Sequence, residues 1–302
     1  MAIYSDQKIT PFLWFDNNAE EAMKFYTSIF ENSEILHTEY YPEGSEEEHM
    51  KGMEGKVLTG LFSLMGNKFM CLDGGPLFKF TPAISLSVNL SSEEEIDKLW
   101  EKLSDGGEVL MEYQNYPFAK KYGWCNDKFG LSWQLMLGEG DPKITPSLLF
   151  TKDKVGKAME AIEYYTSLFP DSEIITVAKY EEGEGDTVGN VKFGLFKLSG
   201  QEFIAMESGL EHSFTFNEAV SFYVNCDDQA EVDKLWEKLS AVPESEQCGW
   251  CKDKYGVSWQ IVPVILSELM EGPDKARKGK VMERLMKMKK LNVKDLEDAY
   301  KE

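Results

Sequence analysis

Two cysteines in a C-x-x-C spacing, Cys248 and Cys251, stand in "QCGWCKDKYGVSWQ" at 247–260. That spacing serves thiol–disulfide exchange at a helix N-terminus, or one half of a zinc site. Here the flanking residues read as a strand that runs into the turn 252–256. Residues three apart in a strand point to opposite faces, with Cα atoms about 10 Å apart. A disulfide needs less than about 7 Å. The pair therefore reads as two small, partly buried apolar side chains rather than a redox or zinc site. The other metal-ligating residues are sparse: His37, His49 and His212 are the only histidines. His49 lies in the acidic run "EGSEEEH" and reads as solvated, while His212 in "GLEHSFTF" is a candidate for a pocket mouth. They support no Ser-His-Asp or Cys-His arrangement. The glycine pairs Gly74-Gly75 and Gly106-Gly107 do not open a helix after a strand, so no nucleotide-type cofactor turn is read.

The elements that position these residues must come from a chain of 302 residues, enough for about two domains. It is 42% hydrophobic and 13% aromatic, so it can fill cores of that size. The formal charge of −21 disfavours nucleic acid and anionic membranes as partners. No apolar run reaches the ~18 residues of a membrane span, and the first ten residues do not read as a signal peptide. Five cysteines fit a reducing cytoplasm better than a disulfide framework.

The chain repeats itself. "KITP" at 8–11 returns at 143–146, and "FYTSIFENSEI" at 25–35 returns as "YYTSLFPDSEI" at 164–174. "DKLWEKLS" at 97–104 returns unchanged at 233–240, and "GWCNDKFGLSWQ" at 123–134 returns as "GWCKDKYGVSWQ" at 249–260. Order and spacing agree, so two homologous domains are expected, over 1–139 and 142–266, joined at "GEGDP", with a helical tail over 271–302. In this register Cys251 matches Cys125, but Cys248 matches Tyr122.

Within the first repeat, 8–15 reads as a strand, and Asn17 or Asn18 can cap a helix to about Phe30. Strands follow at 34–41 and on both sides of Gly66-Asn67. A second strand–helix–three-strand series starts at 83–90, with Ser91 or Ser92 as the helix cap. The expectation is an α+β protein of four βαβββ units, two in each half, plus C-terminal helices. Asp73 and Glu207 end matching strands and read as ordinary exposed strand ends.

Paired βαβββ units, the opening "ITPFLWFDNNAEEAMKFYTSIF" and the closing "CGWCKDKYGVSWQIVP" resemble the vicinal oxygen chelate superfamily, the fold of glyoxalase and the bleomycin-resistance proteins. Within it the chain resembles the PhnB-like group, often labelled 3-demethylubiquinone 3-methyltransferase domains; "FTFNEAVSFYVNCDDQAEVDKLWEKLS" (214–240) and the tail at 281–300 are similar to that group too. The resemblance implies tandem glyoxalase-like domains, each of two βαβββ units forming a curved mixed sheet, packed as an intramolecular pseudo-dimer; a homodimer is also open. It implies a cup for a small molecule, with a divalent metal held by His, Glu or Gln. The expected histidines fall near Ile9 and Ile144, and near Ala83 and Ala219, while the last-strand carboxylate is Gln134 or Gln260. The expected ligands are therefore absent, and no cofactor is expected.

On that resemblance, alternation turns Gln260 and Ser258 into one cup, and Gln134 and Ser132 into the other, with Trp259 and Trp133 behind the sheet. Trp250 and Trp124 are candidate aromatic walls. A metal-free small-molecule binder is the first reading. A lyase, isomerase or dioxygenase with a displaced metal site is an alternative, as is the methyltransferase of the label, for which no S-adenosylmethionine site is read. The eight Lys and Arg of 273–290 suggest either an anionic partner or a helical hairpin docked on the acidic body; the second is expected.

Overall fold

The computed structural model describes residues 5–41, 53–271 and 273–302, so His49 lies outside the described residues. Unit one comprises β1 (Ile9–Phe15), α1 (Ala19–Ile29), β2 (Glu34–Tyr40), β3 (Val57–Leu64) and β4 (Asn67–Asp73). Unit two comprises β5 (Ile84–Leu90), α2 (Glu93–Ser104), β6 (Glu108–Tyr116), β7 (Ala119–Asn126) and β8 (Ser132–Leu137). Unit three comprises β9 (Lys143–Phe150), α3 (Ala158–Leu168), β10 (Glu173–Lys179), β11 (Val191–Leu198) and β12 (Gln201–Glu207). Unit four comprises β13 (Val220–Cys226), α4 (Gln229–Leu239), β14 (Trp250–Lys252) and β15 (Ser258–Pro263). The chain continues into α5 (Ile265–Glu271), α6 (Lys275–Met286) and α7 (Val293–Lys301).

The units form two mixed sheets of seven and eight strands. Each sheet takes one unit from each repeat. The first is ordered β14-β15-β13-β1-β4-β3-β2, which joins units four and one. The second is ordered β10-β11-β12-β9-β5-β8-β7-β6, which joins units three and two. Two antiparallel seams make these unions, β1 on β13 through Phe12↔Ser221 and β9 on β5 through Ser85↔Ser147. The short link at 138–142 places β8 and β9 on either side of β5, and so commits units two and three to one sheet.

Unit four is a strand short of the expected pattern. Residues 240–249 hold a 3₁₀ turn at Pro243–Ser245 where unit two builds β6. Proline lacks the N–H that a ladder needs, and the segment is too short for the aromatic hairpin of unit two.

Helices α1 to α4 lie behind the sheets over one apolar core, which includes Tyr26, Trp133, Tyr165 and Trp259. Two buried carboxylates organise it. Asp127 Oδ2 accepts from Tyr26 Oη at 2.7 Å and Trp133 Nε1 at 2.8 Å. Its Oδ1 accepts from the N–H groups of Phe129 and Leu131. Asp253 repeats this with Tyr165 Oη at 2.6 Å, Trp259 Nε1 at 2.8 Å, and the N–H groups of Tyr255 and Val257. Burial raises the proton affinity of both carboxyls, and the donors oppose it. Each clamp ties a helix of one unit to the turn of a unit in the other sheet.

Helix capping departs from the sequence expectation. The side chain of Asn18 makes no cap bond to α1; Asp73 Oδ2 from the end of β4 receives the Ala19 N–H instead. Glu207 does the same for α3, taking Ala158 N at 3.0 Å and Val191 N at 2.5 Å. Both carboxylates are buried, not exposed strand ends. A fixed negative charge suits a helix N-terminus, which explains its place there. No helix among the described residues is long and apolar enough to cross a membrane.

Tyr26→Phe and Tyr165→Phe each remove one bond to a buried charge and should lower unfolding free energy by about 1.5–3 kcal/mol. Asp127→Asn turns an N–H₂ toward Trp133 Nε1 or loses that partner, and should cost about 3 kcal/mol or more. Urea unfolding followed by tryptophan fluorescence reads both; an unmoved midpoint in all three would show that the clamps do not carry the core.

Candidate functional site

Each sheet has a face turned away from α1 to α4, called its cup face below. Register places Gln134 beside Ser87 and Trp124, and Ser132 beside Ser85. Across the seam Ser85 faces Ser147 and Ser87 faces Thr145. The floor of the second cup is therefore Ser85, Ser132, Gln134, Thr145 and Ser147, all buried. Gln134 Nε2 donates to Ser85 Oγ at 2.8 Å, and Tyr122 Oη donates to Gln134 Oε1 at 2.8 Å. These two bonds fix the orientation of the amide. Burial raises the Tyr122 phenol, which keeps it a donor. Trp124 Nε1 donates to Ser132 Oγ at 2.8 Å and stands half-buried. Ser147 Oγ is buried without a partner. Ser87, Met136 and Leu195 are half-buried around the floor.

Most of that floor returns in the first cup, with Phe12 in the place of Ser147. Gln260 Nε2 donates to Ser221 Oγ at 3.0 Å, and Ser258 lies beside Ser221. Its surroundings differ. Phe12, Leu61, Met70, Tyr223 and Val262 form one apolar cluster with the tail residues Leu269, Val281, Leu285, Leu291 and Leu296. Trp250 joins the cluster and meets Phe12 edge-on at 5.6 Å and Trp14 at 6.1 Å. The six sequence candidates thus fall into two groups. Gln134, Ser132 and Trp124 line a face that the tail cluster leaves alone, whereas Gln260, Ser258 and Trp250 lie on the face that the tail packs against.

Of the positions expected for histidine ligands, Ile9 and Ile144 lie behind the sheets, whereas Ala83 and Ala219 share the strand face of Ser85 and Ser221 and carry only a methyl group. Ile9, Ala83 and Ile144 belong to the core, and Ala219 is fully buried. The groups that face the cups near them are Thr10, Ser85, Thr145 and Ser221. A floor of hydroxyls and one amide offers none of the carboxylate, imidazole or thiolate donors that hold a transition-metal ion such as Zn²⁺. Among the described residues no three His, Cys, Asp or Glu gather as a metal set. His212 is half-buried, bonded to Ser208 Oγ at 2.8 Å and packed on Phe214; burial lowers its pKa and Asp186 opposes the shift. The Nε2 atom of His37 is buried without a partner. Gly74 and Gly75 follow β4 and donate to Phe15 O, and Gly106-Gly107 link α2 to β6, so neither pair opens a helix after a strand.

The C-x-x-C pair is separated by a turn rather than by strand alternation. Cys248 has φ 51° in the turn between the bridged residues Gln247 and Trp250, and its Sγ lies 3.7 Å from Met286 Sδ. Cys251 lies in β14, buried in the core behind the sheet. All five cysteines are free thiols, and Cys248 alone is not fully buried.

Tyr122, Ser85, Thr145 and Ser147 were not read from the sequence. Ser147 replaces Phe12, and Ser87 replaces Tyr223, at matching places of the repeat. That contrast was legible, and it marks which cup keeps small polar residues.

A family model described as 3-demethylubiquinone-9 3-methyltransferase matches residues 7–136 and again 142–262. None of the curated proteins matches the chain. The PhnB protein from Bacillus cereus is 49% identical over 44% of this chain and 100% of its own, with a TM-score of 0.41. Glyoxalase I from Zea mays is 9% identical, covers 83% of this chain and 92% of its own, and has a TM-score of 0.51. That likeness shows the tandem glyoxalase-like fold, whose halves make an intramolecular pseudo-dimer.

Burial lifts all five thiols above their ordinary range. Native protein at pH 8 should take up one equivalent of N-ethylmaleimide, slowly and at Cys248, and five after denaturation. Native labelling of Cys251, read by peptide mass, would contradict this placement.

Proposed function

This chain belongs to the 3-demethylubiquinone-9 3-methyltransferase family, and we propose that it binds a small neutral molecule, without a metal, in the cup of the second sheet. The observation that carries the reading is the oriented amide of Gln134, held by Tyr122 and Ser85 on a floor of hydroxyls. Such a floor offers both donors and acceptors and no net charge. Ser147 Oγ, buried and unpartnered, is a free hydrogen-bonding group that a ligand would satisfy. Trp124 and Tyr122 supply aromatic surface beside it, which suits a flat or partly apolar molecule. The neutral floor favours binding over metal-assisted catalysis, and the methyl transfer in the family description lacks a glycine-rich cofactor turn here. We place the protein in a reducing compartment, in keeping with its five free thiols.

Thermal shifts with Mn²⁺, Zn²⁺, Fe²⁺ and Ni²⁺ should be flat, and a panel of small phenols, amides and quinones should contain stabilising members. Gln134→Leu and Trp124→Ala should each weaken such binding tenfold or more, while Gln260→Leu leaves it within about twofold; a lost bidentate polar contact of about 1.4 kcal/mol gives that factor. Saturable binding of one ion per chain, lost in Gln134→Leu, would sink the metal-free reading. Saturable S-adenosylmethionine binding would bring methyl transfer forward.

A further inference from the structure

Two positions at the seams that face the cups differ between the sheets. Phe12 and Tyr223 in the first sheet stand where Ser147 and Ser87 stand in the second. The first sheet's set is packed under α5 to α7. The tail also takes the place of the strand that unit four lacks: Cys248 N donates to Met288 O, and Gly249 N to Lys289 O, both at 2.8 Å. Gly249 has φ 88°, and a Cβ there would come within 3.2 Å of Leu291, so glycine lets the tail loop close on this edge.

The tail fits the walls of the first cup but not its floor. Below it remain the Gln260–Ser221 amide–hydroxyl pair and Thr10 Oγ1, which is buried and has no partner. Aliphatic side chains of the tail give that hydroxyl nothing. An apolar molecule with one hydrogen-bonding group would fill the same walls and satisfy it. The tail is anchored on both sides of α6, by Leu266, Leu269 and Met270 before it and by Leu291, Leu296 and Ala299 after it, and less at α6 itself. Only Val281 and Leu285 of α6 are buried, and the ion pairs to the body, Lys289–Glu246 and Lys290–Asp233, are surface pairs. Tethered one residue after β15, the tail acts at high effective concentration and excludes weak binders.

We propose that α5 to α7 are a built-in competitor for the cup of the first sheet, which when freed takes an apolar molecule bearing a single hydrogen-bonding group. The inference stands apart from the reading of the second cup, whose failure is read at Gln134.

The test uses the full chain and N-phenyl-1-naphthylamine, a neutral fluorescent probe with one N–H. Val281→Asp with Leu285→Asp should release the tail and tighten probe binding at least tenfold over the unmodified chain. Adding Gln260→Leu should return binding toward that of the unmodified chain, which locates the site at this floor. In the unmodified chain, saturating probe should speed amide hydrogen exchange in α6 and α7 several-fold and leave β5 and β9 unchanged. A released variant with native circular dichroism and no tighter binding overturns the proposal. If that variant does not fold, exchange decides: tail amides that exchange only together with β13, unmoved by probe, overturn it equally.

Discussion

A buried carboxylate in the turn before the last strand of a unit holds this molecule together. Asp127 and Asp253 each gather four donors: a tyrosine, a tryptophan and two backbone N–H groups. A charge out of water is tolerable only with such a full set of partners. The tyrosine comes from a helix whose unit belongs to the other sheet, so each clamp fixes one sheet against its neighbour. The tryptophan is the back face of the strand whose front face carries Gln134 or Gln260. Through that strand the clamp sets the depth and tilt of the cup floor. The same turn residues thus serve packing behind the sheet and the site before it.

From this symmetric frame the two cups diverge. In the second, unit two extends β6 and β7 into a hairpin whose Tyr116, Phe118 and Tyr122 rings pack on one another. Tyr122 reaches down to Gln134. In the first, that hairpin is missing, Cys248 stands at the place of Tyr122, and the tail fills the space. One repeat therefore keeps small polar residues on a face that the tail leaves alone, and the other holds its own helices against the matching face. The chemistry available to both is hydrogen bonding to neutral groups, because the carboxylate and imidazole positions of a metal cup hold Gln, Thr, Ser or core aliphatic residues.

Legible along the chain were the repeat, the order of the elements in units one to three, and the faces of the last strands. Period-two alternation in "VSWQIV" is enough to set Trp259 behind and Gln260 before the sheet, since strand geometry leaves no other choice. A helical tail over 271–302 was expected and is found, with the side chain of Asn292 capping α7. The caps of α1 and α3 were not, because Asp73 and Glu207 reach them from strands distant in the chain. Which unit shares a sheet with which was decided only by the tertiary structure. Equivalent repeats offer equivalent edges, so local pattern cannot choose between unit two and unit four as the partner of unit one. The short link at 138–142 and the cross-sheet clamps make that choice. The separation of six matching candidate residues into three on the face that the tail packs against and three on the face it leaves alone also needed the fold. It depends on where α5 to α7 come to rest, which is a matter of apolar area meeting apolar area across the chain.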